Sequence, residues 1–105
     1  MIKVEFFGTE PICGFHITGH SDMNPEGPEI LCAAVSSAAY MTANTVTDVI
    51  GLEPELQVSD GDMYLKVKTE TEAGQCRVIF DGLKLHLSSL AEQYPKYLTI
   101  TYSEV

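Results

Sequence analysis

The chain has 105 residues, which is enough for one small domain, 1–105, and too few for two. Its 45% hydrophobic and 20% charged residues are typical of a folded globular domain and exclude a disordered chain. Six basic and fifteen acidic residues leave a net charge of −9, so we expect no direct binding to nucleic acid and a preference for basic partners. Because so small a domain has little room for a deep cavity, we expect a surface groove or a homodimer.

The N-terminus and the cysteines indicate the compartment. Residues 1–8 lack the apolar core of a signal peptide, and we expect no apolar run as long as a membrane span. The three cysteines, Cys13, Cys32 and Cys76, are an odd number, widely spaced and without a Cys-x-x-Cys motif. This spacing favours neither a disulfide framework nor a structural zinc site. The sequence therefore predicts a cytoplasmic protein with free thiols and no membrane segment.

Two strands and a loop are predicted at the start of the chain. Apolar residues alternate with polar ones over 2–8 and again over 12–20, which is the period of a β-strand. A proline-containing turn separates the two strands, so they are expected to form an antiparallel hairpin. The polar segment 21–28 contains two prolines and a glycine and predicts a loop.

A long helix is predicted next, over 29–50. Apolar residues recur along one helical face, Pro28 and Glu29 suit the start of a helix, and Gly51 suits its C-terminal cap. Cys32 then lies in the opening turn of this helix.

The remaining elements are a second hairpin, a second helix and a final strand. The hairpin spans 52–59 and 63–68 around an Asp60-Gly61 turn. Apolar spacing predicts a helix over 76–94, ended by Pro95, and β-rich residues predict a strand over 97–102. The predicted order is ββαββαβ, an α+β fold with one antiparallel sheet and two helices packed on one face.

Cys32 and His20 are the candidate catalytic pair. A thiol in the first turn of a helix is favoured as thiolate by the free amides and the helix dipole. His20 ends the second predicted strand only one loop earlier, so it can serve as the base that a nucleophilic cysteine needs. The backbone amides of Cys32 and Ala33 are candidate donors to an oxyanion.

Two other interpretations of these residues remain open at this point. Cys32 can simply fill a tight contact between helix and sheet, because buried cysteines are common in protein cores. Alternatively, His20, Asp22 and Cys32 can be zinc ligands, although three nearby ligands of mixed type are a weak pattern.

Two segments around this pair resemble a known family, the ribosomal-processing cysteine proteases (Prp). In that family a Gly-His pair is followed by a loop and then by Gly-x-Asp-Ile-Val-Cys-Ala-Ala-Val-Ser. The matching segments are Gly19-His20 and Gly27-Pro28-Glu29-Ile30-Leu31-Cys32-Ala33-Ala34-Val35-Ser36. Both occur here in the same order and at the same separation, and the predicted ββαββαβ order agrees with the family fold.

The resemblance implies a cytoplasmic, homodimeric cysteine endopeptidase without metal or cofactor. Its expected substrate is a basic precursor of a large-subunit bacterial ribosomal protein, from which it removes the N-terminal extension. His20 matches the family's catalytic histidine and Cys32 its nucleophile. Glu29 stands where the family has Asp, and Ser36 matches a family serine, so both are possible accessory residues. The alternative is a non-catalytic, ribosome-associated binding or assembly module of the same fold.

Other reactive residues are interpreted as structural. Cys13 and Cys76 share the apolar spacing of their elements and are expected to be core thiols. His16 is expected to be solvated or to pair across strands. Four tyrosines are candidates for substrate or dimer contacts, and the sequence offers no basis for choosing among them: Tyr40, Tyr64, Tyr97 and Tyr102.

Overall fold

The computed structural model describes residues 1–19 and 29–104, without the side chain of Glu29. The strands within this part of the chain are β1 (Ile2–Phe7), β2 (Gly14–Thr18), β3 (Glu55–Ser59), β4 (Asp62–Lys66) and β5 (Leu98–Ser103). The helices are α1 (Glu29–Asn44), which continues as a π-helical segment (Thr45–Ile50), α2 (Glu70–Gln75) and α3 (Arg77–Gln93).

The five strands form one sheet in the order β3-β4-β2-β1-β5. Both predicted hairpins are confirmed, since β1 pairs antiparallel with β2 and β3 pairs antiparallel with β4. The expectation of a wholly antiparallel sheet was wrong at one edge, where β5 runs parallel to β1. The long connection after β4 contains α3, and such a helical crossover returns the chain to the end of the sheet where a parallel strand starts.

Both long helices pack on the same face of the sheet, as predicted. Alternate residues of β1, β2 and β4 point to that face and are buried, for example Val4, which pairs with Ile17 across β1 and β2. The ring of Phe80 on α3 meets the ring of Phe15 edge to face, with centroids 6.2 Å apart. Each such side chain removed from water stabilises the fold by about 1.5–3 kcal/mol. Helix packing thus leaves the opposite face of the sheet to polar residues.

A short helix, α2, precedes α3 and was not predicted. Thr69 caps it, because the Thr69 hydroxyl accepts a hydrogen bond from the Glu72 amide at 3.1 Å. Thr69 and Glu72 form the Thr-x-x-Glu pattern that marks a helix start, so the signal was present in the sequence. Cys76 ends α2 and begins α3 with its side chain fully buried.

The first predicted helix reaches Ile50 as expected, but its last part is π-helical. Three threonines in this region donate hydroxyl hydrogen bonds to the backbone carbonyl four residues earlier: Thr42, Thr45 and Thr47. Such bonds compete with the regular helical hydrogen bonds and favour wider turns. Gly51 then closes the helix in a left-handed conformation, with φ of 85°, as predicted for its cap.

The stretch Ile30–Ile50 has 21 residues and is long and apolar enough to cross a membrane by length and composition alone. The expectation that no apolar run approaches this length was therefore wrong. The same test is passed by core helices of globular proteins, so it is weak evidence for a span. In this fold one side of the helix, including Leu31, Val35 and Ala39, packs into the core over the sheet.

Candidate active site

A groove of about 400 Å³ lies at the end of the sheet where β2 and β3 finish and β4 begins. Its floor consists of apolar side chains from four neighbouring strands: Ile2, Ile17, Val58 and Met63. One wall is α1, and the other is the turn 59–62 between β3 and β4. An open trough with an apolar floor can accept an extended peptide.

Cys32 lies on the α1 wall of this groove. It is the fourth residue of the helix, and its side chain is half-buried. The preceding residue, Leu31, is fully buried and anchors the start of α1 in the core, whereas Ile30 is exposed. Because successive helical residues point about 100° apart, burial of Leu31 turns Cys32 toward the groove. The thiol therefore combines solvent access with a position in the first turn of a helix.

Gly19 borders the groove and immediately precedes His20 in the chain. Its φ of 101° is a conformation that residues with a Cβ rarely adopt, and a Cβ there would overlap the carbonyl oxygen of Met1. The Gly19 amide donates a 3.0 Å hydrogen bond to the Gly61 carbonyl. The last described residue before His20 is thus held against both the start of β1 and the turn at the groove.

His16 makes the cross-strand contact that the sequence predicts. Its Nε2 lies 3.0 Å from Asp62 Oδ1, and the ring of Tyr64 meets the imidazole at a centroid distance of 5.5 Å. Asp62 belongs to β4 and also lines the groove. The pair therefore joins β2 to β4 directly behind the site.

The other predicted site residues fall in two groups. Ser36 is exposed and lines the groove one turn after Cys32, and Ala33 is exposed beside Cys32. Glu29 is the first residue of α1, and its side chain lies outside the described residues, as does the whole of His20. The geometry of the Cys32 and His20 pair therefore stays a prediction.

Cys76 and Cys13 differ from Cys32 in their surroundings. Cys76 is fully buried, as predicted, and burial raises the pKa of its thiol. Cys13 packs at the edge of the core and is half-buried, and its thiol donates to the Phe7 carbonyl oxygen at 3.3 Å. Burial also raises the pKa of the Cys13 thiol, although the positive charge of Lys66 acts in the opposite direction. A raised pKa lowers the thiolate fraction and so the nucleophilicity of both.

Two parts of the groove were not identified from the sequence. Tyr40 completes the α1 wall, and the turn 59–62 forms the opposite wall. For Tyr40 a signal existed, because Cys32, Ser36 and Tyr40 are spaced by four residues and so share one face of a helix. The turn was recognised as a turn, but its position opposite α1 depends on how the helix crosses the sheet.

The groove is acidic and offers no evident metal site. The charged residues that line it are Asp60 and Asp62, and the Asp62 carboxylate is turned to His16 on the opposite face of the sheet. Over the described ranges, no three His, Cys, Asp or Glu side chains are grouped so that they could hold a metal ion. Two ligands of the zinc alternative, His20 and Asp22, lie outside those ranges.

Known proteins resemble this chain over nearly its full length. The sequence pattern of the family described as Cysteine protease Prp matches residues 1–99. The Ribosomal processing cysteine protease Prp of Bacillus subtilis is 25% identical over 95 residues, which cover 86% of this chain and 85% of that protein.

Solved structures share the fold. The Prp of S. aureus, crystallised with a covalently linked product peptide, is 20% identical, with a TM-score of 0.83 over 98% of this chain and all of that one. SMU.848 from Streptococcus mutans is 24% identical, with a TM-score of 0.86 over all of this chain and 96% of that one. The family match, together with the fold and a half-exposed thiol at a helix N-terminus beside a groove, leads to one conclusion: the chain belongs to the Prp family of cysteine proteases.

Proposed function

We propose that this cysteine protease is an endopeptidase that removes the N-terminal extension from the precursor of a large-subunit bacterial ribosomal protein. The observation that carries the proposal is the half-exposed Cys32 thiol, which lies in the first turn of α1 on the wall of a groove. The related S. aureus Prp has been crystallised with a covalently linked product peptide, which supports a peptide substrate.

His20 is the proposed base. It follows Gly19, which borders the same groove as Cys32. In the first step His20 takes the proton from the Cys32 thiol, and the sulfur forms a bond to the carbonyl carbon of the scissile peptide. The peptide C–N bond then breaks, and His20 returns the proton to the leaving amine. Water finally hydrolyses the thioester and restores the thiol.

The amides of Cys32 and Ala33 are the proposed oxyanion donors. For Ala33 this requires that the helix leaves its amide able to bond the oxyanion as well. In a regular helix that begins at Glu29, the amide of Ala33 donates to the carbonyl oxygen of Glu29. The Ala33 amide would therefore share its proton between this carbonyl and the oxyanion. The helix dipole acts in the same direction, because it places partial positive charge at the same end of α1.

Ser36 and Glu29 are proposed as accessory residues. Ser36 is exposed on the groove one turn after Cys32, where its hydroxyl can donate to a substrate carbonyl. Glu29 stands three residues before Cys32, which is the spacing of neighbours on one helix face. A carboxylate at this position can orient the imidazole of His20.

Charge favours a basic substrate. The chain carries a net charge of −9, and the charged residues that line the groove are both acidic. An acidic surface raises the rate at which a basic protein is captured, and added salt screens this attraction. We therefore expect kcat/KM for the ribosomal precursor to fall as the salt concentration rises.

We further propose that the enzyme works as a homodimer in the cytoplasm. The three cysteines are free thiols, which suits a reducing compartment. The groove is open and shallow for a chain of this size, so a second subunit can complete the enclosure of a peptide. Sedimentation equilibrium tests the dimer, and a concentration-independent monomer mass would contradict it.

The test of the function is cleavage of the extended ribosomal precursor encoded in the same genome, followed by product mass. Wild-type protein is expected to cut at one site. Cys32→Ala and His20→Ala are each expected to lose activity by about a thousandfold or more. Ser37→Ala is the matched control, because Ser37 is exposed on α1 and does not line the groove.

Two outcomes would overturn the proposal. One is an intact precursor after incubation with wild-type protein whose fold is verified by circular dichroism. The other is cleavage at the wild-type rate by both Cys32→Ala and His20→Ala, which would remove the catalytic pair.

A further inference from the structure

We infer that Tyr40 and Val58 determine substrate specificity. They bind an apolar side chain of the peptide that lies several residues from the scissile bond. The inference rests on the proposed function and names the side chains that recognise the substrate. Neither residue lies in the two motif segments around the catalytic pair, Gly19-His20 and 27–36, and neither is a candidate for the chemistry.

The first argument is exposure within the groove. Most apolar residues that line it are buried and form its floor, such as Ile17 and Met63. Tyr40 and Val58 are the large apolar side chains of the lining that stay exposed, at 49% and 46%. Apolar surface that is open to water inside a groove is stabilised when a ligand covers it, by about 25 cal/mol for each Å² removed from water.

The second argument is distance along α1. Tyr40 lies eight residues after Cys32 on the same wall of the groove. At 1.5 Å per residue, this separation along the helix axis is about 12 Å. An extended peptide advances about 3.3 Å per residue, so a peptide along α1 passes Tyr40 about three or four residues from the scissile bond.

The third argument is that the sheet edge at Val58 is uncovered. β3 is an edge strand, and all five of its residues are exposed. Val58 pairs with the buried Met63 of β4 and so points to the helix side of the sheet. A peptide in the groove can therefore contact Val58 without displacing any part of the fold.

The negative charge of the groove favours a basic peptide over a second copy of the chain as its occupant. Asp60 lines the groove, and no basic side chain does so among the described residues. A second copy of the chain, with net charge −9, seated inside the groove would add negative charge beside Asp60, whereas a basic peptide would neutralise that carboxylate. The occupant we assign is thus a segment of the basic precursor that carries an apolar residue.

The chain offers a matched control for each residue. Met41 follows Tyr40 on α1 and is 53% exposed, but it does not line the groove. Leu56 shares the strand and the sheet face of Val58 and is 40% exposed, and it also lies outside the lining. Tyr40→Ala is therefore compared with Met41→Ala, and Val58→Ala with Leu56→Ala.

The experiment measures kcat and KM with a peptide that spans the N-terminal extension and the cleavage site of the precursor. Tyr40→Ala is expected to raise KM by about tenfold with kcat within about twofold of wild type, because the lost contact lies away from the reacting atoms. Val58→Ala is expected to raise KM by about threefold, since fewer atoms are removed. Both control variants should keep KM within about twofold of wild type.

Peptide variants locate the contact. Each apolar residue of the peptide is replaced by alanine in turn and tested with wild-type and Tyr40→Ala protein. Alanine at one peptide position, about three or four residues from the scissile bond, should raise KM with wild-type protein. The same replacement should have little further effect on KM with Tyr40→Ala protein. If no position shows this loss of additivity, the assignment to Tyr40 is wrong.

A binding measurement separates this inference from the catalytic proposal. The dissociation constant of the same peptide is measured with Cys32→Ala protein, with and without Tyr40→Ala. If wild type does not cleave but Tyr40→Ala weakens binding by about tenfold, the inference stands and the protease proposal fails. If wild type cleaves and Tyr40→Ala leaves KM and binding unchanged, only the inference fails. It also fails if Tyr40→Ala weakens self-association in sedimentation and leaves KM unchanged.

Discussion

Two clefts of nearly equal volume lie at opposite ends of the sheet, and each contains a cysteine. The groove with Cys32 measures about 400 Å³ and the cleft with Cys13 about 410 Å³. The first has an apolar floor, and its acidic lining residues lie in the turn 59–62. The second is bordered by the charged residues Glu10, Lys66, Lys68, Glu70 and Glu104.

The two clefts differ in the surroundings of their thiols. Cys13 donates to the Phe7 carbonyl oxygen, and burial raises the pKa of its thiol. Cys32 is in the first turn of a 16-residue helix, where the free amides favour negative charge. The two clefts thus share a similar volume and a thiol, and the groove differs from the other cleft in its helix N-terminus and its apolar floor.

The largest expected effect comes from removing each thiol. Cys32→Ala should lower kcat/KM for the precursor by about a thousandfold or more, because it removes the proposed nucleophile. Cys13→Ala should leave kcat/KM within about twofold of wild type, since its thiol donates to the Phe7 carbonyl oxygen and lies outside the groove. Initial rates with purified variants check both. Equal losses of kcat/KM for the two variants would show that the two clefts do not differ in their importance for catalysis.

Thiol labelling should separate the cysteines next. With iodoacetamide at neutral pH, Cys32 is expected to react at least about ten times faster than Cys13 or Cys76. Burial raises the pKa of the last two above the ordinary value of a cysteine thiol, so less of each is thiolate at any given pH and their labelling should still increase in alkaline solution. Peptide mass spectrometry over time measures each rate, and labelling in denaturant is the control. Faster labelling of Cys13 than of Cys32 in the folded protein would contradict the comparison.

Glycines at the two ends of β2 should have smaller effects. A Cβ at Gly14 would overlap the Leu65 carbonyl, and one at Gly19 would overlap the Met1 carbonyl at a φ of 101°. Alanine at either position is expected to lower the free energy of unfolding by about 1–3 kcal/mol. Only Gly19→Ala should also lower activity, because Gly19 borders the groove.

The control for the glycine variants is Gly82→Ala. A Cβ at Gly82 on α3 meets no atom within 4 Å. Alanine there should raise the free energy of unfolding by about 0.5–1 kcal/mol, because it favours the helix. Urea unfolding of the three variants decides the signs, and destabilisation by Gly82→Ala would show that packing on α3 is misassigned.

The smallest expected effect is at the second cleft. Thr69 lines this cleft and accepts the capping hydrogen bond of α2. Thr69→Ala should cost about 1 kcal/mol of stability, because one amide at the helix start loses its partner. Its kcat/KM should stay within about twofold of wild type. Thermal melting and the cleavage assay measure the two quantities, and a large loss of activity would give the second cleft a role in catalysis.

Much of the fold was predictable because the signals are local. Alternation over β1 and β2, the Asp60-Gly61 turn and the apolar face of α1 each lie within a few residues of one another in sequence. The parallel pairing of β5 with β1 joins residues almost a hundred positions apart, so no local pattern encodes it. The helix α2 was missed for a different reason, since its Thr69 and Glu72 capping pattern was present and not used.

The residues of the candidate site also divide into those that a local sequence pattern predicts and those that only the fold places. Cys32 and Ser36 were found because the helix start and the family motif are contiguous in sequence. Tyr40 was one of four tyrosines with equal claims until the fold placed it on the groove wall. Val58 was interpreted as part of a strand, and its exposure follows from the place of β3 at an uncovered edge.

The sequence by itself determined the α+β class and the order of its strands and two long helices, the position of Cys32 in the first turn of a helix and the excess of negative charge. These depend on the periods of helices and strands and on composition, which act over short distances along the chain. Only the tertiary structure decided the order of the strands and which thiol faces a groove. Those features depend on how distant segments pack to bury apolar surface, and that is a property of the whole chain.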